Sequence, residues 1–267
     1  MTVLSTLLAT AGLDLAAQWL GWAYGAWHRT EKYYDLTGSA TYVGLVAWHC
    51  LRRRHHHFTA RQKMNALLVV LWALRLGSFL FARIRHDGGR DSRFDKVRDR
   101  PKIFFMYWSI QALWIFLTAL PVWALLSDDD GDAPDVRARD AAGWALWALG
   151  FAIQATADAQ KRAFRADAAN AGRWIASGLW RYSQHPNYFG EIAMWAGIAL
   201  SCSSRVGPWV ALASPAFVAF LLTRMSGIPL LDRAGDRKWG KLAAYRRYRA
   251  QTSVLVPWWP TTKAATN

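Results

Sequence analysis

The chain has 267 residues, 53% of them hydrophobic, with 17 Trp, 33 Lys+Arg and 18 Asp+Glu for a net charge of +15. Only 19% of residues are charged, below the quarter or so of a soluble chain, which together with the apolar content excludes disorder. Two Cys set far apart, Cys50 and Cys202, exclude a disulfide scaffold.

Apolar blocks divided by basic loops point to membrane spans. Each span needs ~20 mostly apolar residues, fewer where its ends snorkel. In chain order the segments are 4–24, 36–51, 64–82, 103–126, 141–157, 187–202 and 208–223. The first contains Asp14 and lacks a basic start, so it is expected to be a span rather than a signal peptide. The third contains Arg75 and the sixth Glu191. Alternate loops then hold 24 Lys/Arg on one side and 8 on the other. The positive-inside rule puts the larger set in the cytosol, the N-terminus outside and the C-terminus inside. The basic run at 52–57 falls outside and runs against that count. The expectation is an all-α integral membrane protein of about seven transmembrane helices, one membrane-embedded domain over 1–267.

Because the basic residues flank spans, topology and anionic lipid account for them without nucleic acid. There is no Gly-rich phosphate loop, no CxxC pair and no GxSxG. His55, His56 and His57 form a run in a loop, and no metal site is expected.

Ionisable groups within spans are costly and are functional candidates by default. They are Asp14, Asp35, Arg75 and Glu191; ion pairing of Arg75 with Asp14 or Asp35 is the structural alternative. The densest stretch is GLWRYSQHPNYFG, residues 178–190, followed by Glu191. Pro186 suits the first turn of a helix, where its missing N–H has no partner to lose. His185 then sits at the mouth of that helix beside free N–H groups that attract anions. Asn187 and Glu191, four apart, share a face. An amide above a carboxylate can read a carboxamide or an adenine edge. Upstream, Asp158, Arg162 and Arg165 share one helix face, where paired guanidiniums can clamp phosphate. Arg224 ends the seventh span, and Tyr245 follows in a basic tail.

The run GLWRYSQHPNYFGEIAMWAGIAL, the upstream DAQKRAFRAD and the downstream LLTRMSGIPLL…VPWWP resemble the steroid 5-alpha-reductase superfamily, chiefly its bacterial branch. ALRLGSFLFARI, RFDKVR and TEKYYDLTGSATY resemble that branch too, so the likeness covers residues 28 to 260 or so. The HPNY run is shared with isoprenylcysteine carboxyl methyltransferases and sterol reductases. The resemblance implies an NADPH-dependent reductase of 3-oxo-4-ene steroids or similar lipid enones. It implies cofactor binding by Asp158, Arg162, Arg165, Tyr182, His185, Asn187, Glu191, Arg224 and Tyr245. Asp35 stands where the family has a catalytic Glu, and is expected as a buried, protonated donor to the substrate ketone. The family's third-helix Tyr has no match; Trp72 lies near its place, and Tyr33, Tyr34 or Tyr42 can supply the hydroxyl. The rival is an S-adenosylmethionine-dependent methyltransferase, to which a pyrophosphate-type Arg cluster is ill suited. A lipophilic substrate and membrane lipid are the expected partners, with no obligate protein partner. The bacterial inner membrane is the expected location, with the cofactor site toward the cytosol.

Overall fold

The computed structural model describes residues 2–53, 57–86, 88–128 and 136–261. Among them the secondary structure is helical and no strand occurs. His55 and His56 lie outside the described residues. The chain divides into two compact units, Met1–Asp140 with Ser201–Ser214, and Ala141–Leu200 with Pro215–Asn267.

In the first unit α1 spans Val3–Trp27, α2 Tyr34–Arg52, α3 Ala60–His86, α4 Pro101–Thr118 and α5 Leu120–Ser127. Thr2 caps α1, its Oγ1 accepting from the Ser5 N–H at 3.1 Å. The apolar run at 103–126, read as one span, is broken instead. α4 and α5 meet at Ala119 with a bend of 61°. Pro121 is the cause: it has no N–H to give, and its ring clashes with the carbonyl one turn back in a continuous helix.

The remaining helices are α6 (Ala138–Ala166), α7 (Pro186–Val206), α8 (Pro208–Phe220), α9 (Ile228–Trp239) and α10 (Ala243–Gln251). A π-turn, Leu221–Met225, links α8 to α9, closed by Ser226 N–H donating to the Leu221 carbonyl at 2.9 Å. By length and composition α1, α3 and the run Pro208–Trp239 can each cross a membrane, and the bent α4–α5 pair makes a fourth. Each of the other expected segments lies within a helix: 36–51 in α2, 141–157 in α6 and 187–202 in α7.

Within the first unit α1 packs on α2, α4 and α5, and α2 packs on α3. Gly21 lets the Trp108 ring lie against α1, where a Cβ would be 2.3 Å from it. Three of the basic residues outside the expected cytosolic set, Arg53, Arg61 and Arg205, are bound into the fold. Arg61 grips Asp140 through two hydrogen bonds of 2.8 and 2.7 Å, both side chains buried. Arg53 donates to the Asp128 carbonyl at 2.8 Å, and Arg205 pairs with the Asp128 carboxylate at 2.6 Å. Such charges answer to packing as well as to topology.

A second set of charges joins the α1–α2 turn to the α3–α4 loop. Glu31 accepts from Arg98 Nε at 2.5 Å, from Arg98 Nη2 at 2.6 Å and from the Asp91 N–H at 2.7 Å. Arg93 and Arg83 each reach both Asp91 and Asp35. Burial pushes the Glu31 carboxyl up, but the bonds from Arg98 and the Asp91 N–H outweigh it and hold the pKa below the ordinary value. Burial likewise raises Asp91, and the Arg93 guanidinium more than offsets it.

In the second unit, α6 and α7 approach backbone to backbone. A Cβ on Gly190 would lie 2.5 Å from the Gly150 carbonyl oxygen and 2.7 Å from the Gln154 nitrogen. A Cβ on Gly197 would lie 2.4 Å from the Gly143 carbonyl.

Two outcomes follow from these contacts. Gly190→Ala should cost about 1–3 kcal/mol through forced separation of the helices. Gly12→Ala, with nothing within 4 Å of the new Cβ, should hold or gain stability; thermal melting of both variants in detergent checks the contrast. Because the folded Glu31 and Asp91 carboxyls lie below their unfolded values, their contribution is complete above pH about 4.5 and is lost as pH falls through the lowered folded values. Melting temperature should therefore fall through that window in the wild type, and fall less in a Glu31→Gln/Asp91→Asn variant.

Candidate functional site

In the second unit, Pro186 opens α7, and its preceding loop is held from two sides. Ser183 Oγ accepts from the His185 N–H at 3.1 Å and donates to the Leu255 carbonyl at 2.7 Å. Gln184 donates through Nε2 to the carbonyls of Arg249 and Thr252, at 3.0 and 2.7 Å. The Trp258 N–H donates to the Tyr182 carbonyl at 2.9 Å. The C-terminal segment thus fixes the loop that carries His185.

Two rungs cross from α6 to α7. Asn187 Nδ2 donates to Asp158 Oδ1 at 3.2 Å. One turn further, Gln154 Nε2 donates to Glu191, which also accepts from Trp195 Nε1 at 2.8 Å. Pairs spaced by four on each helix stack the rungs, and the glycine contact brings the helices close enough to form them. Glu191 is therefore held on both oxygens.

Beside this ladder is a cavity of about 240 Å³ within the second unit. Its lining includes four cations: Lys161, Arg165, Arg173 and Lys238. Trp174, Trp239 and Tyr245 form an aromatic wall, with ring centroids 5.1 to 6.1 Å apart. Gly235 makes room for Tyr245; a Cβ there would be 2.2 Å from its hydroxyl. Burial pushes the Tyr245 hydroxyl pKa up. His185 also lines the cavity, stacked 5.5 Å from Tyr188. Neither imidazole nitrogen completes a hydrogen bond among the described residues, Asp232 Oδ1 lying 3.5 Å from Nε2. Burial holds the His185 pKa down at about 4, against the pull of Asp232. Cations, flat rings and an unbonded imidazole suit an anionic ligand with an aromatic ring.

The cavity unites three of the residues singled out from sequence: Arg165, His185 and Tyr245. Asp158, Asn187 and Glu191 form the ladder. Arg162 and Arg224 are exposed and outside the cavity lining, Arg224 within the π-turn. Tyr182 turns its ring edge to Trp259, 5.2 Å away, instead of to the cavity. Sequence reasoning missed Gln154, Trp195, Lys161, Trp174, Lys238 and Trp239. The spacings of Gln154 with Asp158 and of Glu191 with Trp195, each four, were the available signal.

Asp35 belongs to the first unit and departs from expectation. It stands in the first turn of α2 and accepts from Arg93 Nη2 at 2.7 Å and Arg83 Nη2 at 3.4 Å. Its ion-pair partners are these loop and helix-end arginines rather than Arg75. The Arg75 guanidinium lies over the Phe79 ring at 5.5 Å. Trp72 is buried edge-on to Tyr42. The Tyr34 hydroxyl donates to the Tyr107 carbonyl at 2.9 Å. Tyr33, with Thr37 and Trp48, lines an apolar groove of about 570 Å³ between α1 and α2.

The family model described as "Protein of unknown function (DUF1295)" matches residues 21–252. Among curated proteins, "3-oxo-5-alpha-steroid 4-dehydrogenase 1" of Macaca fascicularis is 30% identical over 135 residues, 51% of this chain and 45% of that protein. The protein of the same name from Rattus norvegicus is 35% identical over 115 residues, 43% of this chain and 40% of its own. The chain thus spans less than half the length of these relatives. No solved structure matches it significantly.

An anion in the cavity should raise the His185 pKa from its depressed value. Imidazole NMR, assigned by His185→Gln, should show the midpoint climbing on addition of pyrophosphate. An unmoved midpoint would separate His185 from the anion site.

Proposed function

The chain belongs to the DUF1295 family, and from that membership and the cavity of the second unit we propose that it is an NADPH-dependent membrane reductase of carbon–carbon double bonds conjugated to a ketone. The observation that carries this reading is the cavity's combination of four cations, an aromatic wall and the unbonded His185. The residues fit one end of a phosphorylated dinucleotide. At about 240 Å³ the space is below the ~300–1,000 Å³ of a pocket enclosing a whole drug-sized ligand. The names of the relatives support enone steroids as the substrate class.

When bound, NADPH supplies the hydride. Lys161, Arg165, Arg173 and Lys238 would neutralise its phosphates, and Trp174 and Trp239 would hold its adenine. Asn187, oriented by Asp158, offers its amide to the nicotinamide carboxamide, and Glu191 holds that stretch of α7 through Trp195 and Gln154. Arg162, Arg224 and Tyr182 serve the parts of the cofactor outside the cavity. A hydrogen-bond donor of this chain would stabilise the ketone oxygen, where negative charge develops as the β-carbon is reduced. Asp35, tied by Arg93 and Arg83, positions the start of α2. The reading includes seven spans, an inner-membrane location and a cytosolic cofactor cavity.

Purified protein in detergent, given NADPH and progesterone, should consume NADPH and release a saturated ketone. Stabilisation by S-adenosylmethionine without NADPH consumption would favour the methyltransferase instead. Arg165→Ala should raise the KM for NADPH about tenfold or more, the worth of a charge-assisted hydrogen bond of ~1.5–3 kcal/mol, while leaving kcat near its starting value. Arg162→Ala should do less, and steady-state kinetics of the two variants checks the order.

A further inference from the structure

One face of α1 is polar deep inside the first unit. Thr6, Thr10, Asp14 and Gln18 recur every fourth residue, and all are buried. At 1.5 Å rise per residue the stripe runs ~18 Å along the helix. Three of the four are bonded. Thr6 Oγ1 donates to the Thr2 carbonyl at 3.1 Å. Thr10 Oγ1 donates to the Thr6 carbonyl at 2.8 Å and lies 3.2 Å from Nε2 of His49 in α2. Gln18 donates to Thr41 Oγ1 at 2.8 Å and accepts from Gln111 Nε2 at 2.9 Å.

Asp14 is the exception. It is 1% exposed, and neither carboxyl oxygen completes a hydrogen bond among the described residues. Gln18 stands one turn on; its Nε2 gives one N–H to Thr41 and its Oε1 accepts from Gln111, which leaves one neutral N–H on the Asp14 side. The titratable side chain bonded to the stripe is His49 of α2. From α4 comes the neutral Gln111; its Lys102 is exposed at the helix start, and its Tyr107 carbonyl accepts from Tyr34. α5 contains no ionisable residue.

An ionised carboxylate without partners is among the most costly groups to bury in a membrane helix. A bound cation or a proton removes that cost. A cation needs several oxygen ligands, and no cluster of three metal-binding side chains occurs among the described residues. A proton needs one carboxyl oxygen and a path. Hydroxyl and imidazole groups both donate and accept, so they can pass a proton; an amide cannot do so readily. Thr10 and His49 lie on the N-terminal side of Asp14, and Gln18 lies on the other. A path of this chemistry would therefore come from the Thr10 and His49 side rather than from Gln18.

We propose that Asp14 is a proton-binding site within the helix bundle, loaded through Thr10 and His49 from the N-terminal end of α1. One proton from solvent converts the carboxylate to the acid. Thr10 takes a proton from the His49 side as it gives up its own, so no other reactant is required. The site stands independently of the reductase reading.

Infrared spectroscopy of the full chain in lipid nanodiscs at neutral pH tests it. The wild type should show the C=O stretch of a protonated carboxyl, shifted in D2O. The band should vanish in Asp14→Asn and reappear at a displaced position in Asp14→Glu. In Thr10→Val and His49→Gln it should persist but exchange into D2O about tenfold more slowly. A wild type without the band, or a band that survives Asp14→Asn, overturns the site. Exchange unaltered by both path variants overturns the loading route. If Asp14→Asn fails to fold, Asp14→Glu decides, because an unmoved band belongs to another carboxyl.

Discussion

Gly150 and Gly190 set the separation of α6 and α7, and the polar ladder of the second unit depends on it. With no side chain between the backbones, Asp158 and Gln154 reach Asn187 and Glu191 directly. A helix pair held apart by even one methyl group would stretch the 3.2 Å Asn187–Asp158 bond toward the limit of a hydrogen bond. The two carboxyl groups would then sit in an apolar setting with fewer donors, which is expensive. The small residue is therefore upstream of the chemistry: it decides whether α7 can present an oriented amide at all.

In the first unit the controlling quantity is charge balance. Glu31, Asp35 and Asp91 meet Arg83, Arg93 and Arg98 in one network joining two loops. Arg61 with Asp140 and Arg205 with Asp128 form separate ties. A count of cations alone treats all of these as free markers of sidedness. Those bound to carboxylates inside the fold carry less of that meaning.

The helices were legible because apolar runs are contiguous in sequence. So were Asn187 with Glu191 and Asp158 with Arg165, because helical spacing places them on common faces. Their partners were not. Gln154 and Trp195 matter only because α6 and α7 touch, and a single-helix reading does not show which helices touch. Trp174 comes from one stretch and Lys238 with Trp239 from another, and both line the cavity. The Arg93 partner of Asp35 lies 58 residues away in a loop, where periodicity says nothing. Arg162 and Arg165, three apart, point ~60° from each other on a helix, enough for one to line a cavity and the other to face outward. The break at Ala119 was visible as Pro121, but the apolar composition around it concealed the bend.

The π-turn at Leu221–Met225 has a bearing on how the tail of the molecule is inherited. Such a turn holds one residue more than an α-turn, and that residue rotates all that follows by ~100°. α8 upstream is apolar and α9 downstream mixes charged and apolar side chains, so the two obey different phases. Losing a single codon there would restore a regular helix while turning Leu231, Asp232 and Gly235 away from the cavity they line. Lineages that drop or gain one residue at this point would keep the helix and change the pocket.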